Sequence, residues 1–197
     1  MHCHVPDSRS ATLGKTVPKE QLLLIGNPNV GKSVLFSRLT GVHAISSNYP
    51  GTTVSFTQGR FRRGDECYQL IDVPGAYTLD PTNEAEMVAK RIIEEGSDIV
   101  ILTIDACALE RNLYLALQVI EKGVNVIVAL NMVDEARHEG IHLNIEALEK
   151  ELGVPVVPTV AVSGHGISEL VNRLPESRPG SFLEMDPETR WKTIGDI

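Results

Sequence analysis

The chain is short of positive charge: among 197 residues, 18 Lys and Arg stand against 26 Asp and Glu, a formal net charge of −8. A general nucleic-acid partner needs a basic footprint, and this composition supplies none. Long apolar runs are also missing. The two most hydrophobic stretches, 98–109 (DIVILTIDACAL) and 124–133 (VNVIVALNMV), are broken by Asp or Asn. Both fall short of the ~18 uninterrupted apolar residues of a membrane span. Residues 1–19 contain no apolar segment of the kind a secretory signal requires, so they read as a flexible leader. Cysteine is scarce: Cys3, Cys67 and Cys107 have no paired spacing, which excludes a disulfide framework and points to a cytosolic compartment. Cys67 and Cys107 fall in strand or strand-end contexts that suit buried, reduced thiols. His2-Cys3-His4 offers three donors on a chain end, a poor closed metal site.

What is present is ordinary globular material, 42% hydrophobic and 22% charged, enough for one domain with a proper core. β-branched runs alternate with amphipathic segments. LLLIG (22–26) precedes a helix over 31–40; 53–61 and 67–73 form a hairpin that turns at Gly64; a helix over 81–95 opens at Pro81. Strands at 98–105, 125–131 and 154–160 alternate with helices over 109–121, from Asn144 to Gly153, and from Ile167 onward. This alternation predicts an α/β fold: a mostly parallel sheet of six or seven strands with one antiparallel edge hairpin and helices on both faces. Ligands of such sheets sit beyond the carboxyl ends of the strands, here the loops at 26–33, 41–53, 72–80, 131–134 and 159–164.

Those loops carry the chemistry. Gly26-Asn27-Pro28-Asn29-Val30-Gly31-Lys32-Ser33 satisfies the P-loop pattern directly after a strand and before a helix. Its backbone N–H groups would cradle a β-phosphate, Lys32 would reach the β- and γ-phosphates, and Ser33 would ligate Mg²⁺. Asp72-Val73-Pro74-Gly75 places a carboxylate where it can hold Mg²⁺ through water and a glycine N–H where it can touch the γ-phosphate. In Asn131-Met132-Val133-Asp134, Asp134 can accept both N1–H and N2–H of guanine, a donor pair adenine lacks, and Asn131 would brace the base-binding loops. Thr159-Val160-Ala161 sits where a backbone N–H can meet guanine O6. Gly51-Thr52-Thr53 lies in a polar loop suited to a switch, with Thr53 as the Mg²⁺ ligand and Thr52 as its alternative.

Taken in order, these motifs resemble a translation-factor-type small GTPase. More narrowly, GNPNVGKS, NYPGTTV, DVPGAYTL, DACALERNLYLALQ and LNMVDEA resemble the N-terminal G domain of the bacterial ferrous iron transport protein B family over about residues 20–174. The resemblance implies GTP and GDP as ligands with Mg²⁺, and a catalytic set of Lys32, Asn29, Thr53 and Gly75. It implies that Asn29 supports an activating K⁺ that the loop before Thr53 caps. Position 76 is Ala where Ras-like enzymes carry a water-orienting Gln, so slow hydrolysis is expected. Val160 replaces a common Ser and removes a hydroxyl contact to the base loop. The resemblance also implies a helical domain after the last G-domain helix, expected here to be missing or shortened. Residues 175–197 read as its remnant or as a linker, a free tail able to pack on another copy in a homodimer or higher oligomer. The implied setting is the cytoplasmic face of the bacterial inner membrane, with the membrane portion of the same longer protein as partner and no nucleic acid. The alternatives are a ribosome-assembly or RNA-modification GTPase and a non-hydrolysing, nucleotide-dependent scaffold.

Overall fold

The computed structural model describes residues 18–41, 44–182 and 185–197. The His2-Cys3-His4 group and most of the leader lie outside the described residues, as do positions 42 and 43 of the switch loop and 183 and 184 of the tail. In chain order the elements are β1 (Glu20–Gly26), α1 (Lys32–Thr40), β2 (Ala44–Asn48), β3 (Ser55–Arg63), β4 (Glu66–Asp72), α2 (Glu84–Glu94) and β5 (Ile99–Asp105). After a 3-10 turn follow α3 (Leu109–Ile120), β6 (Val126–Asn131), α4 (Val133–His138), α5 (Ile145–Leu152), β7 (Val156–Pro158), α6 (Ile167–Arg173) and α7 (Pro187–Asp196). The strands form one seven-stranded sheet in the order β2-β3-β4-β1-β5-β6-β7. β4 through β7 are parallel, and β2 and β3 add antiparallel pairs at one edge.

The central strands read as continuous apolar runs because both of their faces are covered. Leu22 and Leu24 of β1 point to one core with Leu35 and Phe36 of α1 and Leu170 of α6. Leu23 and Ile25 point to the other core, with the inner faces of α2, α3 and α5. β5 and β6 repeat the two-residue period, with Ile101 and Ala129 on the first side and Leu102 and Val128 on the second. This fixes the register that brings the ends of β1, β4, β5 and β6 to one rim.

Elements that differ from the sequence expectations include α2, β2 and the tail. α2 opens at Glu84 rather than Pro81, because the Asn83 side chain accepts the Glu86 N–H at 2.9 Å and makes the stronger cap. Residues 44–48, expected as loop, pair with β3 as an edge strand. Their one large apolar residue, Ile45, is 66% exposed, so no alternating pattern marks them. The tail is not free: α7 docks on α3 of its own chain. Arg190 makes two bonds to the Glu121 carboxylate, at 2.7 and 3.0 Å, with both side chains only 5% exposed, and its guanidinium lies 5.1 Å from the Tyr114 ring centroid. Trp191 packs on the same ring.

Removing one partner of such a buried pair leaves the other desolvated and unpaired, at about 3–5 kcal/mol. Arg190→Met is expected to destabilise α7 by about that amount, seen as faster trypsin cleavage at Lys192 and a lower urea midpoint. An unchanged cleavage rate and midpoint would show that the pair does not hold the helix.

Candidate functional site

At the end of β1 the chain turns through Asn27–Gly31 into α1. Space explains the glycines. A Cβ on Gly26 would lie 2.4 Å from the Thr103 carbonyl oxygen, and one on Gly31 would lie 2.3 Å from Asn131 Nδ2. Asn29 and Gly31 have φ of 66° and 86°, the left-handed turns that line a concavity with backbone N–H groups. The next turn is stitched to this loop: Val73 N–H donates to Leu24 O at 3.0 Å and Ala76 N–H to Gly26 O at 3.4 Å. A Cβ on Gly75 would meet Pro28 Cα at 3.1 Å and Lys32 Nζ at 3.2 Å, so the Lys32 ammonium lies against the Asp72–Gly75 turn.

Lys32 is 9% exposed, an unusual place for an ammonium. Burial pushes its pKa below the ordinary lysine value, opposed by the Asp72 carboxylate. Burial pushes Asp72 above the usual carboxylate range, opposed by Lys32 and by a hydrogen bond with Ser33. Asp72 Oδ1 and Asn27 Nδ2 are buried with no hydrogen-bond partner in the protein. An orphaned acceptor on a carboxylate bonded to a hydroxyl fits a hard cation, and an orphaned donor in the loop after β1 fits an anion.

Asn131, 2% exposed at the end of β6, ties three segments together. Its Nδ2 donates to Val30 O at 3.0 Å, while its Oδ1 accepts from Ala161 N–H at 3.0 Å and Thr159 Oγ1 at 3.3 Å. Met132 follows in the left-handed region, φ 64°, and Asp134 stands exposed in the first turn of α4. The N–H groups of Thr159, Val160 and Ala161 are engaged within the chain, by Leu130 O, His165 O and the Asn131 side chain.

The switch threonines part company. Thr52 serves its own turn, its hydroxyl donating to Tyr49 O at 3.1 Å and accepting from Val54 N–H at 3.2 Å. Thr53 reaches outward and donates to Glu84 at 3.2 Å, so the structure brings together Lys32, Ser33, Asp72 and Gly75 but seats Thr53 on α2. The Tyr49 hydroxyl bonds Glu95, the residue that caps the other end of α2, so the segment leans on that helix at both ends. Gly51 supplies the left-handed turn between them, φ 79°.

Several residues with no motif also shape the rim. Gln118 accepts from Leu79 N–H at 2.8 Å and from Thr78 Oγ1 at 3.0 Å, and donates to Asp80 at 2.9 Å. Glu86, 3% exposed, accepts from Thr82 N–H and Oγ1 at 2.9 and 2.8 Å. Burial alone would raise its pKa, but bonds from Thr82, Tyr77 and Asn83 outweigh that and hold it below the usual range. Arg38 of α1 donates from Nε to Ala161 O at 3.0 Å and from Nη2 to Val162 O. A buried polar residue inside an apolar helix face was the only sequence signal for Gln118 and Glu86, and Arg38 had none. The Cys107 thiol is pushed up to about 11 by burial and then by Asp105, so it is no nucleophile at neutral pH.

This rim can be compared with known proteins. The family model described as ferrous iron transport protein B matches residues 20–174. The chain belongs to the ferrous iron transport protein B family.

Among curated relatives, the Fe(2+) transport protein A/Fe(2+) transporter FeoB fusion protein of Porphyromonas gingivalis is 44% identical over 156 residues, covering 78% of this chain and 18% of its own length. The chain spans about a fifth of the length of the curated relatives it matches. The cytosolic domain of L. pneumophila FeoB superposes with a TM-score of 0.80 at 41% identity, covering 84% of this chain and 67% of that one. An S. thermophilus NFeoB mutant solved bound to GDP superposes with a TM-score of 0.77 at 35% identity, covering 86% and 67%. The seven-stranded sheet is thus the architecture of FeoB G domains. Among the described residues, no helix is long and apolar enough to cross a membrane.

Proposed function

We propose that this domain binds GTP and GDP with Mg²⁺, hydrolyses GTP slowly with K⁺ stimulation, and reports the γ-phosphate to the membrane portion of a longer ferrous iron transporter at the cytoplasmic face of the bacterial inner membrane. The observation that carries the reading is the Asn131 side chain, which links the phosphate loop at Val30 to the base loop at Ala161 and so sets the distance between the two ends of one ligand. The GDP bound by the S. thermophilus relative supports the ligand class.

Lys32 and the N–H groups of Asn27–Gly31 would grip the phosphates, and Asp134 would accept from the guanine edge. Ser33 and Asp72 would hold Mg²⁺, Asp72 through a water, with Thr53 joining them when the γ-phosphate is present. Asn29, exposed at the crest of the loop, would support K⁺. The two cations supply neutralisation of phosphate charge where other enzymes use an arginine. Leaving Glu84 would cost Thr53 one exposed hydrogen bond, about 0.5–1.5 kcal/mol, small enough for ligand contacts to exceed. Ala76 is 2% exposed and has no group to orient water, so that task falls to backbone amides, and turnover is slow.

A GTPase assay in KCl against NaCl tests the reading. Turnover is expected to rise in KCl by at least about tenfold, the scale of one well-placed charge contact. Asn29→Ala is expected to abolish that rise while GDP affinity stays within about threefold. No turnover in either salt would favour the non-hydrolysing scaffold, and an unchanged K⁺ response in the variant would remove Asn29 from the mechanism.

A further inference from the structure

We propose that Arg38 is a positioning residue for the base-binding loop and sets how long GDP stays bound; this rests on the guanine-nucleotide reading above. The loop from Thr159 to His165 is a compact turn in which the Val160 carbonyl accepts the N–H groups of Ser163 and Gly164, at 3.2 and 2.9 Å. Its inner side is held by Asn131, which takes the Ala161 N–H. Its outer side is the one that Val162 presents to solvent. Val162 is 69% exposed, and a Cβ on Gly164 would find as its nearest neighbour only the Arg38 guanidinium, 4.0 Å away.

Arg38 closes that outer side. Nε takes the Ala161 carbonyl at 3.0 Å and Nη2 takes the Val162 carbonyl, so one planar fork grips two successive peptide groups. A peptide group is rigid, and a held carbonyl also fixes the direction of the N–H that shares its plane. Asn131 orients the peptide that precedes Ala161, and Arg38 orients the two that follow. The loop is therefore pinned on both sides by side chains from elements that also carry the phosphate site. α1 has Lys32 and Ser33 in its first turn and Arg38 in its last, so one short helix holds both the site for the nucleotide's phosphates and the loop beside its base.

This bears on specificity of rate rather than on fold. Arg38 is exposed on the surface of α1 and contributes no atom to either core. Losing the fork would free the outer side of the loop while Asn131 still holds the inner side. Opening of the loop would then be more frequent, and opening is the step through which a bound base leaves. Lysine cannot reproduce the fork, since it presents one point charge rather than two donors at fixed spacing.

The test uses the full chain with Mg²⁺ and a fluorescent GDP analogue, comparing wild type, Arg38→Met and Arg38→Lys. Arg38→Met, which keeps the apolar stem, is expected to raise the dissociation rate about tenfold, equivalent to about 1.4 kcal/mol. The association rate and melting temperature are expected to stay as in wild type, and Arg38→Lys to fall between the two. Hydrogen exchange at the Val162 and Ser163 amides of the GDP-bound chain is expected to speed up in the same order. A dissociation rate within twofold of wild type, or a faster one accompanied by an equal fall in melting temperature or association rate, overturns the positioning role. Failure of the wild-type chain to bind the analogue at all would instead strike the nucleotide reading, and the clamp with it.

Discussion

Lys32→Ala is expected to weaken GDP and GTP binding by a hundredfold or more while the domain stays folded. The ammonium is 9% exposed, its pKa lowered by burial, and it lies beside the backbone of Pro28 and Gly75 with the Asp72 carboxylate as its nearby charge. Its protonated form is penalised in the fold. That penalty is full below the lowered pKa and fades as pH rises from there through the unfolded lysine value. Asp72, raised by burial, carries the mirror-image penalty above its own pKa, relieved only as pH falls through it. Burial thus disfavours the charged form of both groups, and under the proposed function a phosphate and its metal ion would offset both penalties.

Two hydrogen bonds from a charged donor are worth about 1.5–3 kcal/mol each, and about 2.8 kcal/mol is a hundredfold in affinity. Truncating Lys32 also deletes its own desolvation penalty, so melting of the ligand-free protein is expected to change little, with Asp72 left less compensated as the opposing effect. Calorimetry with GDP and Mg²⁺, paired with a thermal melt, separates the two. Undiminished affinity in a folded variant would mean that the loop after β1 does not hold phosphate through this residue.

How much of this was legible before the structure depends on which physical signal each part carried. The parallel strands were legible because burial on both faces makes them unbroken apolar runs, as in Leu22–Ile25 and Val126–Leu130. The helix after Asn144 was legible because its cap is chemical and local, the side chain accepting the Ala147 N–H at 3.0 Å. β2 was not, since an edge strand buries little and AISSN has no alternation to show. α4 was hidden because six residues are too short for a helical period, and it starts from the strained Met132 rather than from a capping side chain. Pro81 gave a plausible but wrong helix start. The Asn83 cap two residues later satisfies a real backbone donor, whereas Pro81 merely tolerates the first turn.

The site divides along the same line. Residues that act through the backbone or through one fixed local geometry, such as Gly31 and Asn131, announce themselves by spacing. Residues that act by reaching across the fold do not. Arg38 contacts a loop 123 and 124 positions away, Gln118 a turn 38 to 40 positions away, and Arg190 a partner 69 positions away. No local pattern encodes such pairs, because each partner alone looks like a solvated polar side chain.

Asp134→Asn is expected to exchange the base preference of the domain, weakening GDP and admitting xanthosine diphosphate. The carboxylate stands exposed in the first turn of α4, directly beyond the Asn131 brace, with both oxygens able to accept. Guanine presents two donors there, N1–H and N2–H, so an amide in place of the carboxylate sets its own NH₂ against one of them. Xanthine presents a donor and a carbonyl, which the amide can match. Mismatching one buried donor pair costs about 1–3 kcal/mol beyond the lost bond, so GDP affinity should fall at least about a hundredfold. Xanthosine diphosphate should gain about tenfold or more over its wild-type affinity by the same arithmetic. The fold should not respond, because the side chain is exposed and belongs to neither core. Competition of the two diphosphates against a fluorescent GDP analogue reads both changes in one titration. GDP affinity held within threefold would show that the base is recognised elsewhere on the rim, whereas weakening toward both bases alike would assign Asp134 to holding the loop rather than to choosing the base.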